Sequence, residues 1–384
     1  MSAPHTDTTL PELSLPSIDL RWAARRAALP LALAAAALAV ILLAGTGPLT
    51  VAADAISRIL DADPRWLILA AAAELASFTG YIALLWLVGQ PATPRLDLRA
   101  SAEITLGGAA ATRLLPTAGA GGAALTLWAI AKTGLGPRQG GRVLLTFLVL
   151  LYGVFLAGIA ISGGAIAAGL GGSTTHAVLS GVAAMAAVAA ITVALVLGSR
   201  AAREIADDAG RARRGAALLG EAVRDAFGFL RRGDVRLLGA PAWWAFDAAV
   251  LWAVFNALGE PPSLAILAFA YFAGQVGNTV PVPGAVSGGL VGTLLAFGVA
   301  PDLALSAVLA YRTVAIWIPA PLGLVALTAL RSRIARWSRE DETAPAVADG
   351  AEAAHDFELV VVAPAPATAV RPRPRTVLAT PCPG

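Results

Sequence analysis

Four ionisable residues lie in sequence apolar enough to face lipid: Glu74, Arg113, Asp247 and Arg312. A charged side chain at the centre of a bilayer costs on the order of 2.5–3.5 kcal/mol even on lenient insertion scales, so each is expected to have a partner or a task. The residue types leave two readings open. The acids and arginines either neutralise one another as structural ion pairs, or Arg113 and Arg312 hold an anionic group while Glu74 or Asp247 serves as counter-ion or exchanges a coupled proton. Lys132 reads as a side chain that snorkels to the surface.

Two proline and glycine breaks lie close to the arginines. One is Pro116-Thr-Ala-Gly-Ala-Gly121-Gly122 and the other Pro281-Val-Pro283-Gly284-Ala-Val-Ser-Gly-Gly289. Every backbone N–H and C=O in lipid must find a partner within the protein, so an interrupted helix survives only where it is packed in protein or lines a cavity. Paired interruptions therefore point to a substrate site. Proline removes a donor, glycine lets backbone approach a ligand, and the free N-terminus of the following half-helix favours an anion. The same glycines equally suit close helix packing. Landmarks recur after each break, Gly134 to Pro137 and then Tyr152 after the first, Gly298 to Pro301 and then Tyr311 after the second, a loose internal repeat.

The elements that must position these residues are transmembrane helices. Runs long enough to cross about 30 Å of hydrocarbon fall near 27–44, 65–89, 143–167, 177–198, 237–258, 264–282 and 303–330, with 285–300 a short eighth. The stretches 101–115 and 119–132, joined by the first break, predict a re-entrant or half-spanning pair. The fold class expected is thus an all-α polytopic bundle of seven or eight spans plus that pair. Arginines concentrate in 90–142, in 199–236, which holds nine, and after the last span; Asp54, Asp61, Asp63, Glu260 and Asp302 mark the opposite loops. The excess of basic residues stays cytoplasmic, which puts both termini inside the cytoplasmic membrane. Residues 1–26 then form an N-terminal tail, 27–335 the membrane domain and 336–384 a disordered tail, and the first apolar run is expected to be retained rather than cleaved as a signal peptide. Within 199–236, apolar residues at helical spacing among charges predict either an interfacial amphipathic helix or a solvated one.

Composition narrows the class further. The chain has 384 residues, 57% of them hydrophobic and 14% charged, with a mean hydropathy of +0.73; soluble domains carry about 25% charged residues. Its net charge of +3 and its span-flanking arginines give no nucleic-acid groove, and the single cysteine, Cys382, allows no internal disulfide. No Ser/His/Asp grouping, metal-ligand spacing or phosphate-binding loop occurs, so neither an enzyme, a cofactor nor a metal is expected. Trp243, Trp244 and Trp317 read as interfacial or packing aromatics.

Taken in order along the chain, Glu74-Leu-Ala-Ser-Phe-Thr-Gly-Tyr81, Ala111-Thr-Arg113-Leu-Leu-Pro116, Gly119-Ala-Gly121-Gly122, Trp128, Phe147 to Tyr152, Pro281-Val-Pro283-Gly284, Phe297-Gly298-Val299, Tyr311-Arg312 and Pro319 form a pattern. It resembles the lysylphosphatidylglycerol synthase transmembrane family, also called flippase-like integral membrane proteins, over roughly residues 25–335. The resemblance implies a bundle with re-entrant helices that moves a lipid or lipid-linked headgroup across the bilayer, with Arg113, Pro116, Gly121, Gly122, Pro283, Gly284 and Arg312 on the matching positions. Its partners would be membrane lipids with anionic headgroups, and a homo-oligomer or a lipid-modifying enzyme partner is compatible with it. The sequence departs from the family pattern after Gly284, where Ala285-Val-Ser287 follows and no acid appears before Asp302. Only residues 336–384 follow the last span where the family's namesake carries an aminoacyl-transferase domain, so synthesis of aminoacyl lipids is not expected. Two rival readings are a proton-coupled small-solute transporter and a non-transporting partner of a lipid or cell-wall glycosyltransferase.

Overall fold

The computed structural model describes residues 47–114, 120–170, 174–200, 211–279 and 284–343. The expected first span at 27–44, Pro116, the stretch Pro281 to Pro283 and the tail beyond Ala344 lie outside the described residues. No strand occurs among the described ones, and the all-α polytopic class holds.

The described residues open with α1 (Gly47–Leu60) and α2 (Pro64–Gly89). Asp63 caps α2, its carboxylate accepting from the Arg65 N–H at 2.9 Å, and Pro64 takes the first helical position, where a missing N–H costs nothing. α3 (Leu98–Leu114) and α4 (Ala120–Ala131) flank the first break, followed by α5 (Pro137–Ala165), α6 (Thr174–Arg200), α7 (Arg211–Arg232) and α8 (Gly239–Ala257). Then come α9 (Leu264–Gln275), α10 (Ala285–Ala296), α11 (Pro301–Trp317) and α12 (Pro319–Thr343). Among the described residues five stretches are long and apolar enough to cross a membrane: α2, α5, α6, α8 and the run of α11 and α12 on either side of Pro319.

Charges sort the ends of the bundle. At one end Arg58 pairs with Glu260 at 3.1 Å and with Asp302 at 2.6 Å. At the other, Arg138 meets Glu221, Arg142 meets Asp225, Arg95 meets Asp341, and Arg236 donates to Gln90 at 2.9 Å while its guanidinium lies 4.6 Å from the Trp86 ring. The arginine-rich loops expected on one side of a membrane thus share one end. Arg236 also holds Asp234, just outside the span, with its pKa lowered to about 2 by the hydrogen bond to the guanidinium. Expected tail residues 336–343 are instead helical: Trp337 is buried and Asp341 is tied to Arg95, so α12 continues to Thr343.

The second break differs from expectation. The apolar run 264–282 reads as one span, but α9 stops at Gln275, tightens into a 3₁₀ turn over Val276–Thr279, and α10 restarts from Gly284, whose φ of +82° is left-handed backbone that favours glycine. Each of α9 and α10 has 12 residues, roughly 18 Å at 1.5 Å per residue, too short to cross. The two pack together as α3 and α4 do, so each break joins a pair of short helices. Glycine contacts tie both pairs. A Cβ on Gly122 would lie 2.5 Å from the Gly108 carbonyl oxygen, and one on Gly289 would lie 3.2 Å from that of Gly274.

Around these pairs, α2 and α8 run antiparallel along their length, with Gly80 against Gly239 so closely that a Cβ on Gly80 would meet the Gly239 oxygen at 2.6 Å. Trp243 stacks on Tyr81 at 4.4 Å, and the Trp244 indole N–H donates to the Leu151 carbonyl at 2.8 Å, making both packing aromatics. Trp317 is exposed. α3 is anchored to α12 by Glu103 and Arg333, bridged at 2.6 and 2.7 Å with both side chains mostly buried. Losing one partner of a buried pair costs 3–5 kcal/mol, but Arg333 keeps Asp97 at 3.9 Å. Glu103→Gln is therefore expected to cost only about 1 kcal/mol, read as a modestly lowered thermal midpoint in detergent, and little more when combined with Arg333→Gln.

Candidate functional site

Asp247 stands near the middle of α8, on its buried side, ten residues before Ala257. Glu74 stands ten residues after Pro64 on α2 and is completely buried. Because the Asp63 N–H donates to the Ala257 carbonyl at 3.0 Å, the two helices start from a common level, and both acids lie roughly 15 Å from that end. The costly acids of the sequence therefore share one depth inside the bundle.

Three donors converge on Asp247. The Tyr271 hydroxyl donates at 2.6 Å, the Tyr311 hydroxyl lies 3.2 Å from both carboxylate oxygens, and the Gln275 amide reaches one at 3.5 Å and the Tyr311 oxygen at 3.1 Å. Gln275 accepts in turn from Asn278 at 2.7 Å. Tyr271, Gln275 and Asn278 follow one another at spacings of four and three, so α9 and its 3₁₀ end present them on one face. The chain of hydrogen bonds thus leads from Asp247 to the threshold of the second break. Glu74 lies within electrostatic range of the Tyr271 hydroxyl. No arginine or lysine whose side chain is among the described residues forms an ion pair with Asp247. Phenols and an amide, rather than a cation, satisfy its oxygens. Such a carboxyl can take up and release a proton, or exchange one of these donors for a polar group of a ligand.

The remaining residues singled out from the sequence fall differently. Arg312 adjoins Tyr311 on α11, half-buried, and forms no ion pair with Asp247, Glu74 or any other described acid. Arg113 ends α3, its side chain outside the described residues, as are Pro116 and Pro283. Gly121 and Gly122 open α4, and Gly122 is buried where a Cβ would meet Thr112 at 2.0 Å. Gly122 brings α3 and α4 together, the close packing that the sequence also left open for it. Gly284 has open space beside its Cα. The two tyrosines of the repeat also part company, since Tyr311 is buried in the network while Tyr152 is exposed beside Phe155. Tyr271, Gln275 and Asn278 escaped attention because each is ordinary alone; their common helical face was the available signal.

Behind the acids, on the outer side of α2 and α8, runs an apolar groove of about 270 Å³ lined by Leu69, Ala72, Ala73, Ala76, Phe246, Ala249 and Trp252. Phe246 and Leu69 are exposed there, so the groove opens to the outside of the helices. Among the described residues no three His, Cys, Asp or Glu side chains come together to hold a metal.

The model of the lysylphosphatidylglycerol synthase TM region matches residues 27–323, well over half of the chain. The chain belongs to that family. In this member of the lysylphosphatidylglycerol synthase transmembrane family, the matched region takes in both breaks, the Asp247 network, Arg113 and Arg312. No curated protein matches the chain.

Proposed function

We propose that the protein is a non-enzymatic lipid translocator of the cytoplasmic membrane, moving an anionic phospholipid or lipid-linked headgroup between leaflets. The observation that carries this reading is the carboxyl of Asp247 at hydrocarbon depth, hydrogen-bonded by Tyr271 and joined through Gln275 and Asn278 to the threshold of the second break. A polar group held at that depth has a purpose in proportion to its cost. The headgroup passes the paired short helices with Arg312 as its cation, while Asp247 and Glu74 exchange a proton. The sideways apolar groove along α2 and α8 suits an acyl chain and favours a lipid over a small soluble solute. The arginine-rich end faces the cytoplasm.

Proteoliposomes containing a fluorescent anionic phospholipid test the proposal. Translocation above empty liposomes is expected, and Arg312→Ala is expected to slow it by about tenfold, equivalent to 1.4 kcal/mol of lost headgroup stabilisation. Rates equal to empty liposomes for every lipid class would reject the translocator; a full rate in Arg312→Ala would remove the arginine from its assigned role.

A further inference from the structure

A second groove, of about 310 Å³, lies at the arginine-rich end between the end of α2, the start of α5 and the last turns of α7. Its elements differ from those of the Asp247 network. Arg142, Arg224, Arg232 and Gln139 line it with a single carboxylate, Asp225, and Val88, Val143 and Phe229 give it an apolar wall. Asp225 is committed: it accepts from the Arg142 side chain at 2.6 Å. Arg224 and Arg232 are exposed and have no carboxylate partner among the described residues; the Arg232 guanidinium rests 5.6 Å from the Phe229 ring centre. In the groove wall, Thr146 is 1% exposed and its hydroxyl has no hydrogen-bond partner. A buried hydroxyl left unpaired is unfavourable, and one placed in the wall of a cationic groove points to a ligand with acceptor oxygens.

The helix that carries the arginines also sets the depth. α7 packs on α5 and α6 through Ala217, Ala222, Val223 and Ala226, so it is neither free in solvent nor apart from the bundle. Phe227 and Leu230 on α7, with Val235 and Leu238 after it, remain exposed. This arrangement fits an interfacial helix with apolar side chains turned to lipid and arginines at headgroup level. A groove that is cationic at its rim and apolar along its wall matches a phospholipid more closely than a free anion, which has nothing to place against Val88, Val143 and Phe229.

We propose that this groove binds one anionic phospholipid of the adjoining leaflet, with the phosphate between Arg224 and Arg232 and a headgroup or ester oxygen at Thr146. The bound lipid fastens α7 to the membrane face of the bundle. It is a resident lipid, and the site does not depend on translocation.

The test uses the purified full chain in detergent. Dioctanoyl phosphatidylglycerol, dioctanoyl phosphatidylcholine and inorganic phosphate are titrated separately, with native mass spectrometry counting lipids per chain. Phosphatidylglycerol is expected to occupy a site that Arg224→Gln/Arg232→Gln weakens at least tenfold and that weakens with added salt. Thr146→Val is expected to weaken it severalfold at an unchanged or raised thermal midpoint, and the charge-matched Arg213→Gln/Arg231→Gln, outside the groove, is expected to leave it intact. Asp247→Asn should also retain it, which separates this site from the proposed translocation path. Equal binding of phosphatidylcholine, displacement of lipid by inorganic phosphate at comparable concentration, or wild-type binding by Arg224→Gln/Arg232→Gln would each overturn the proposal.

Discussion

Asp247→Ala is expected to remove both stability and transport. The hydroxyls of Tyr271 and Tyr311 and the Gln275 amide would lose their shared acceptor in a fully packed region. A buried donor left unsatisfied costs about 1–3 kcal/mol, and Gln275 can still reach Tyr311, so the total is expected at about 3 kcal/mol, with a clearly lowered thermal midpoint. Such a variant alone could not separate a structural acid from a working one. Asp247→Asn keeps the shape and one acceptor oxygen, so it is expected to lose about 1 kcal/mol of stability or less. It cannot ionise. If the carboxyl exchanges a proton during translocation, Asp247→Asn folds but translocates at least about tenfold more slowly, and its residual rate no longer follows pH. Wild-type rates in well-folded Asp247→Asn would show that the network is a packing device and would withdraw the proton from the proposed cycle.

Most of the helical framework could be read from hydropathy, because in lipid each apolar run has almost no alternative to a helix. The expected 65–89 and 237–258 became α2 and α8, and the pair 101–115 and 119–132 became α3 and α4. The second pair was harder to see. Leu264 to Thr279 is apolar enough to pass for one crossing, and what stops it is the 3₁₀ turn at Val276 and the contact of Gly274 with Gly289, a meeting of residues distant in sequence. The acids could be found because a charge in a span is expensive wherever it sits. Their donors belong to other helices, so a chain read one segment at a time gives no hint that Tyr271 and Tyr311 meet on Asp247. The glycines left two readings open for a related reason: composition marks close approach without saying whether a ligand or another helix approaches. The groove holding Thr146 is tertiary altogether, built from the ends of three helices.

Gly122→Leu is expected to dismantle the first helix pair. The Cβ alone would stand 2.0 Å from the Thr112 hydroxyl and 2.5 Å from the Gly108 carbonyl oxygen. The hydroxyl can rotate away, but the carbonyl belongs to the backbone of α3 and cannot yield without the helices parting. Overpacking of a close crossing costs typically 1–3 kcal/mol, and a leucine here is expected at the upper end, about 3 kcal/mol. The same chemistry elsewhere has the opposite sign. Gly153 on α5 has nothing within 4 Å of a built Cβ, so Gly153→Ala is expected to be neutral or to stabilise by up to about 1 kcal/mol through helix propensity. The pair of variants, compared by thermal midpoint in detergent and by translocation rate, distinguishes the two roles open to Gly122. A glycine that serves to let a lipid headgroup approach predicts that even Gly122→Ala loses transport at an unchanged midpoint. A glycine that serves to close α3 on α4 predicts that midpoint and transport fall together, in Gly122→Ala as in Gly122→Leu, because that contact joins the two helices. The buried position of Gly122 against Gly108 makes the second outcome the expected one.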